Sequence, residues 1–383
     1  DVFTRTCGPQ QSSVCQPQHF RAADDRLYWN SGDGQFQDVT SQAGVANQSG
    51  KGLGVVVARF QDADFPNVFV ANDTVMNTYF VNATPQRGHS PLLHDAALVS
   101  GLAMSADGRT QACMGVAAGD ADGDSELDLI VTNFYGEANA YYRFHDGAFE
   151  DVARVAGLHA PSLSHLGFGT QFLDANLDGW LDLIVANGHI DDYSDDGRTD
   201  YQMRPQLFAN LGRGTFTELD ASSLGSYFSK RNLGRAVARL DWDGNGLEEA
   251  VISHLDAPAA LLQNTTTNRG GFVTVRLRGV QSSRDATGTI VEINLGDRVV
   301  TRQLTAGDGF QASNEKVLTF GTGADDSITR MTIRWPSGAR SRFGPLKANT
   351  HWIAIEGANA LYAITSGPGS IKDAQADVLR SED

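Results

Sequence analysis

The stretch "GDADGDSELDLIVTN" (residues 119–133) places acidic side chains two residues apart and then runs into a β-branched apolar segment. Carboxylates packed this closely repel one another unless a cation lies among them. The apolar segment is typical of a buried strand. The stretch therefore predicts a metal-binding turn that leads directly into a β-strand.

The same phrase recurs along the chain at intervals on the order of 60 residues. Each copy is followed by an aromatic segment and a Gly-containing hairpin, which makes a unit of four short strands. Four-stranded units repeated at this spacing are typical of β-propeller blades. The four copies are GLGVVVARFQDADFPNVFVAN (52–72), CMGVAAGDADGDSELDLIVTN (113–133), HLGFGTQFLDANLDGWLDLIVAN (165–187) and NLGRAVARLDWDGNGLEEAVISH (232–254).

The predicted fold class is therefore all-β, with propeller blades of four antiparallel strands followed by a small β-sandwich-like domain. The segment "RLYWNSGDGQFQDVTSQAGV" (26–45) reads as the second half of a blade with no first half before it. We expect the ring to be incomplete in this chain, with upstream blades cleaved off or left out.

Three of the four copies carry the ligand pattern of a Ca²⁺ turn. Numbered from its first acid, each turn offers side-chain oxygens at positions one, three, five and nine and a backbone carbonyl at position seven, and Ca²⁺ accepts this number of oxygens. Ordinary turn formers would also place Asp and Asn here, but three turns in register favour a metal. The predicted ligands are Asp120, Asp122, Asp124, Glu126 and Asp128 in copy 2; Asp174, Asn176, Asp178, Trp180 and Asp182 in copy 3; and Asp241, Asp243, Asn245, Leu247 and Glu249 in copy 4.

The turn of copy 1, Arg59 to Asn67, lacks this pattern because position one is Arg59 and position three is Gln61. A guanidinium there would take the place of a cation. We expect no metal at this turn, although Asp62 and Asp64 would be available if the backbone shifted.

The repeated "Asp-x-Asp-Gly-Asp-x-x-x-Asp-Leu-Ile-Val" frame resembles the FG-GAP (VCBS-type) repeats of integrin α-subunit propellers, over residues 26–264. That resemblance implies Ca²⁺ on the blade turns. Further on, "RGVQSSRDATGTIVEI", "AGDGFQASNEKVLTFGTG" and "IRWPSG" resemble the ASPIC/UnbV domain of the cartilage acidic protein-like family. The second resemblance implies a secreted or surface-exposed protein with a role in binding or adhesion, and it supplies no catalytic residues.

These features divide the chain into four parts: an N-terminal Cys-containing loop (1–25), the FG-GAP blades (26–265), the ASPIC/UnbV β domain (266–357) and a polar tail (358–383). Cys7 and Cys15 bracket a short loop with Gly and Pro, so a disulfide between them is the prediction and two free thiols the alternative. A disulfide would fit an oxidising compartment.

The formal charge of −16 argues against nucleic acid as a partner, and no apolar run reaches the length of a membrane span. We predict a calcium-binding module on the cell surface, secreted or periplasmic, that serves binding, adhesion or assembly. Its expected partners are a protein or glycan surface, copies of itself, or upstream blades. No catalytic motif is recognisable. The alternative is an extracellular propeller enzyme, a hydrolase or lyase acting on polysaccharide, with Asp191, Asp192, Asp195 and Asp196 as the dense carboxylates outside the metal turns.

Overall fold

The computed structural model describes residues 7, 15, 17–46, 49–61, 63–193, 197, 199–296, 298–325 and 327–364. Regular structure in these residues is almost entirely β. The helical segments among them are the short α1 (His159–Ser162) and two 3₁₀ turns, Pro17–His19 and Ala221–Ser223. The predicted all-β class is confirmed.

The blade region begins with a two-stranded sheet, β1 (Tyr28–Asn30) and β2 (Phe36–Asp38). Four antiparallel sheets follow, one for each sequence copy, and within each sheet the strands pair in chain order. Blade 1 contains β3 (Gly52–Ala58), β4 (Asn67–Asn72), β5 (Thr78–Asn82) and β6 (Leu93–Asp95); blade 2 contains β7 (Cys113–Gly119), β8 (Asp128–Asn133), β9 (Ala140–His145) and β10 (Ala148–Asp151); blade 3 contains β11 (Gly167–Leu173), β12 (Asp182–Asn187), β13 (Gln206–Asn210) and β14 (Phe216–Glu218); blade 4 contains β15 (Gly234–Leu240), β16 (Glu249–His254) and β17 (Ala260–Leu262).

Glycine in the first strand of a blade lets the next blade approach closely. A Cβ added at Gly115 would lie 2.2 Å from the backbone oxygen of Phe168 in the following blade. Added at Gly54 or Gly169, it would lie 2.4 Å from the equivalent carbonyl. Real side chains never come this near, so the Gly-rich first strand is a packing requirement between blades.

Blade 1 exposes one face of its inner strand at a repeat position that is buried in blades 2 and 4. Val55 pairs with Val70 in the register in which Val116 pairs with Val131 and Val237 with Ile252. Val55 is 42% exposed, whereas Val116 and Val237 are 0% exposed. The strands β1 and β2 cover the outer part of blade 1, but among the described residues no inner strand precedes β3.

The C-terminal module consists of two four-stranded sheets packed face to face around Phe320, Trp335 and Trp352. One pair of neighbouring strands in this module, Gly271–Arg278 and Thr350–Ile355, is parallel. The first sheet contains β18 (Gly271–Arg278), β21 (Val317–Gly323), β26 (Thr350–Ile355) and β27 (Leu361–Ile364); the second contains β19 (Ile290–Leu295), β20 (Arg298–Gln303), β23 (Arg330–Arg334) and β24 (Arg340–Phe343); a small pair joins β22 (Ser327–Ile328) to β25 (Leu346–Lys347).

One sequence boundary is corrected by this module. The polar tail was expected from residue 358, but β27 pairs with β26 and its Leu361 is fully buried in the core. Alternating apolar residues in "LYAI" complete the first sheet, so the module extends at least to Ile364. The remainder of the expected tail lies outside the described residues.

A single loop of the C-terminal module, residues 304–316, runs along the inner strands of all four blades. Ala306 bridges to Val57 of blade 1, and Gly309 bridges to Val116 of blade 2. The loop continues to blade 3 through the Gln171 side chain, which donates to the Asp308 carbonyl over 3.2 Å. In blade 4, Arg239 exchanges backbone hydrogen bonds with the side chain of Asn314 and the N–H of Glu315. The module therefore fills the axial position of the blade array.

Most of the predicted N-terminal loop lies outside the described residues, but its disulfide does not. Cys7 and Cys15 are bonded, with their Cα atoms 5.0 Å apart. The predicted pairing is confirmed. Cys113 is a free, buried thiol, and burial raises its pKa.

Candidate metal sites on the blade turns

The blade-2 turn joins β7 to β8 and gathers three carboxylates. One oxygen from each of Asp120, Asp122 and Asp124 lies within 4.8 Å of the others. The turn is shaped by its own backbone: Asp120 accepts from the N–H of Gly123 at 2.8 Å and from that of Ser125 at 3.1 Å. Convergent carboxylates held by a rigid turn match the donor set of Ca²⁺.

Position nine of the blade-2 turn accepts hydrogen bonds within the protein, and its role as a ligand stays a prediction. Asp128 is fully buried and lies outside the group of three. Its oxygens accept from the Ala121 N–H at 3.1 Å, the Tyr141 hydroxyl at 3.0 Å and the Phe144 N–H at 3.2 Å. Asp182 in blade 3 accepts two backbone N–H groups in the same way. These carboxylates tie the turn to the neighbouring strand.

The blade-4 turn forms the second acid group. Asp241, Asp243 and Glu249 each place one oxygen within 4.8 Å of the others. Glu249 occupies position nine, and its extra methylene lets it join the group while its other contact, from the Trp242 N–H at 2.7 Å, is kept. Asn245 at position five accepts from the Leu247 N–H at 2.8 Å.

The carbonyl of position seven stays a predicted ligand, and the amide of the same residue helps to shape the turn. The N–H of Glu126 donates to Asp124, and the N–H of Trp180 donates to Asp178, both over 2.8 Å. Blade 4 repeats this contact through Leu247. All three turns therefore share one backbone geometry, in which the position-five side chain accepts from position seven.

The blade-3 turn contacts the C-terminal module through both Asp174 and its own backbone. Within the described ranges it forms no group of three acid side chains, because Asn176 takes position three and donates to Asp178 over 2.9 Å. The N–H of Gly321 donates to Asp174 at 3.1 Å. The other carboxylate oxygen of Asp174 is buried and has no hydrogen-bond partner among the described residues. A buried, unpartnered carboxylate oxygen suits a cation.

Two arginines of β20 reach this turn, and sequence reasoning missed both. Arg298 donates to the Asp178 carbonyl at 2.6 Å, and Arg302 donates to the Gly179 carbonyl at 3.1 Å. The Arg298 guanidinium also lies 5.4 Å from the centre of the Trp180 ring. The available signal was their spacing, since residues four apart on a strand share a face.

Burial dominates the electrostatics of the turns. It raises the pKa of Asp120, Asp174 and Asp182 to about 7, and the nearby Arg302 opposes the rise for the first two. The pKa of Asp122 is raised by burial and then by the charge of Asp124. A divalent cation would favour the ionised forms of all these groups.

The blade-1 turn is built around a cation of its own. Arg59 exchanges backbone hydrogen bonds with the Gln303 side chain, at 2.6 and 2.8 Å, and its guanidinium donates to the Pro336 carbonyl at 3.1 Å. Burial and the charges of Arg87 and Arg334 lower the pKa of Arg59, and the nearby Asp64 partly opposes this lowering. Asp62 is outside the described residues.

Comparison with known families agrees with both halves of this architecture. Residues 120–185 match the FG-GAP-like repeat family, and residues 279–360 match the ASPIC and UnbV family. These two segments are therefore similar to the FG-GAP-like repeat family and to the ASPIC and UnbV family. The FG-GAP match begins at the first acid of the blade-2 turn and ends in the second strand of blade 3.

Two curated relatives resemble most of this chain. Cartilage acidic protein 1 of Homo sapiens is 24% identical over 307 residues, which is 79% of this chain and 43% of the relative. The Mus musculus protein is 23% identical over 307 residues, 79% of this chain and 44% of the relative. The chain therefore spans less than half the length of the curated relatives it matches.

Solved structures give only distant likenesses. One is the structure of an Agrocybe aegerita lectin that recognises non-reducing terminal N-acetylglucosamine, with a TM-score of 0.29 at 16% identity. That alignment covers 63% of this chain and 74% of the lectin chain. The Dos1 propeller has a TM-score of 0.28 at 8% identity, with 78% and 73% covered. The rhamnogalacturonan lyase YesW has a TM-score of 0.30 at 12% identity, with 92% and 69% covered. Likeness at this level carries no argument about function.

None of the helices in the described ranges has the length and hydrophobicity needed to cross a membrane.

Proposed function

We propose that this chain is an extracellular calcium-binding module whose blades present a surface to a protein or glycan partner, and that it is not an enzyme. The observation that carries the proposal is the pair of acid groups on the blade-2 and blade-4 turns, each with three carboxylates within 4.8 Å. Calcium bound there would neutralise the carboxylates of each turn, which otherwise repel one another.

The same turns lie where the C-terminal module meets the blades, which links metal binding to the assembly of the two modules. The Ser125 hydroxyl of the blade-2 turn accepts from Thr301 of β20 at 3.0 Å. His351 of β26 contacts the Gly244 carbonyl of the blade-4 turn at 3.0 Å. A turn stiffened by calcium would hold these contacts in place.

Calcium titration of the purified chain tests the metal part of the proposal. Thermal unfolding in EDTA and in graded Ca²⁺, with bound metal counted by elemental analysis, is expected to show bound calcium and a rising melting temperature. At extracellular affinities each site would add about 0.5 to 1.5 kcal/mol at millimolar Ca²⁺. Absence of bound calcium together with an unchanged melting temperature would leave the aspartates as turn formers only.

Matched variants assign the effect to the turns. Asp122→Asn with Asp124→Asn is expected to remove the blade-2 contribution, and Asp243→Asn the blade-4 contribution. Asp146→Asn is the control, because this side chain is 91% exposed in the β9–β10 hairpin and belongs to neither acid group. A control variant that loses as much calcium response as the turn variants would contradict the assignment.

A glycan array with a turnover assay tests binding against catalysis. We expect calcium-dependent retention of a protein or glycan ligand without release of new reducing ends. Release of reducing ends from a polysaccharide would favour the enzyme alternative.

A further inference from the structure

A cavity of about 250 Å³ lies between the blade-1 turn and the C-terminal module. Four arginines line it, namely Arg59, Arg87, Arg334 and Arg340. This is a local reversal of charge, since the whole chain carries a formal charge of −16. Guanidinium groups brought together in this way repel one another unless an anion lies among them.

The compensating acids are fewer than the arginines. Asp64 lines the cavity, and Glu292 lies 3.6 Å from the Arg334 guanidinium. Among the described residues that line the cavity itself, four are arginines and one is an acid. Burial lowers the pKa of Arg59, and the charges of Arg87 and Arg334 lower it further, which shows that the arginines act on one another.

Arg59 is held in place at this cavity. Gln303 fixes its backbone on both sides, and one terminal nitrogen of the guanidinium donates to the Pro336 carbonyl at 3.1 Å. Its Nε is buried without a hydrogen-bond partner among the described residues. Arg87 and Arg340 are exposed, so the cavity opens to solvent between them.

We propose that this cavity binds a tetrahedral oxyanion, a sulfate or phosphate group. Guanidinium groups match such oxyanions with paired, charge-assisted hydrogen bonds. The cavity is smaller than the roughly 300 to 1,000 Å³ typical of pockets that enclose a whole ligand. It therefore takes the free ion or one charged substituent of a larger molecule. The cavity adjoins the blade-1 turn, at the repeat position where the other blades carry acids. On this proposal the turn suits an anion in blade 1 and a cation in the other blades.

Isothermal titration calorimetry with sodium sulfate and sodium phosphate tests this site, in calcium-free buffer at constant ionic strength. The wild-type chain is expected to bind the divalent ions and to bind acetate more weakly. Arg59→Gln is expected to weaken sulfate binding by about tenfold or more, as the loss of a charge-assisted contact does. Because Arg59 is partly buried, the double variant Arg87→Gln with Arg340→Gln provides a second, exposed change with the same expected direction.

Arg213→Gln is the matched control, because it removes one positive charge from an exposed residue in the hairpin of blade 3. It is expected to change sulfate affinity less than about twofold, as surface charges do under salt screening. The absence of sulfate and phosphate binding would overturn the proposal, as would equal losses in the cavity variants and the control.

A sulfated or phosphorylated monosaccharide identifies the source of the ion. Tighter binding than that of the inorganic ion would assign the site to a substituent of a larger ligand, and equal binding would assign it to the free ion. Both results support an oxyanion site. The result is independent of calcium binding, so this proposal and the proposed function can fail separately.

Discussion

Alanine substitution at equivalent valines in different blades would measure how strongly neighbouring inner strands hold the array together. Val116 and Val237 are 0% exposed, whereas Val55 at the same repeat position is 42% exposed. Val→Ala removes about two methylene equivalents, whose burial contributes roughly 1.6 kcal/mol to the free energy of unfolding. In a closed interface the cavity left behind raises the loss to about 2 to 3 kcal/mol.

At Val55 the transfer term is about half as large and solvent fills the space, so we expect a loss below about 1 kcal/mol. The change in intrinsic strand preference is the same at all three positions and cancels in the comparison. Val116→Ala and Val237→Ala should therefore exceed Val55→Ala by about 1.5 kcal/mol.

The assay is urea unfolding at saturating Ca²⁺, followed by circular dichroism and tryptophan fluorescence, with coincident transitions required for the analysis. Sedimentation at the same concentrations establishes that the chain is monomeric. Equal losses at Val55 and Val116 in a monomer would refute the reasoning, because they would mean that β3 is covered in solution as the other inner strands are.

Three further predictions concern blade contact, the C-terminal module and pH. Gly115→Ala should lower the melting temperature by several degrees, since its methyl group would lie 2.2 Å from the Phe168 carbonyl oxygen; an unchanged melting curve would show that the blades can separate without cost. Arg302→Gln should tighten calcium binding a few-fold in calorimetry, because it removes a positive charge beside Asp120 and Asp174. The same variant should lower the melting temperature in EDTA, because it loses a contact to the blade-3 turn. Weaker calcium binding would contradict this prediction. Burial raises the pKa of Asp120 to about 7, so the folded calcium-free chain binds a proton more tightly than the unfolded chain and should lose stability as pH rises from about 4 to 7. Calcium affinity should fall as pH drops from 8 to 6, because protons compete with calcium for the carboxylate. A calcium affinity that does not change with pH would be inconsistent with this acid group.

The repeat pattern determined the fold because its information is local. Glycine, acid and β-branched residues at fixed spacing specify strand, turn and strand without reference to the rest of the chain, and the blades appear where the copies lie. The Cys7–Cys15 pairing was likewise readable from a short loop. The acid groups of blades 2 and 4 also follow from spacing, since a tight turn brings alternate side chains together.

Contacts between distant residues decided the rest. Asp128 is a predicted ligand from its place in the repeat, and only the folded chain shows that its carboxylate also accepts from the N–H groups of Ala121 and Phe144. The arginines on the blade-3 turn come from more than 100 residues away, and so does the axial loop where it contacts blades 1, 2 and 3. The sequence by itself determined the strands and turns, because these depend on neighbouring residues. Only the tertiary structure decided which acids are buried and which residues of the C-terminal module contact each turn, because packing sets burial and the nearest charge.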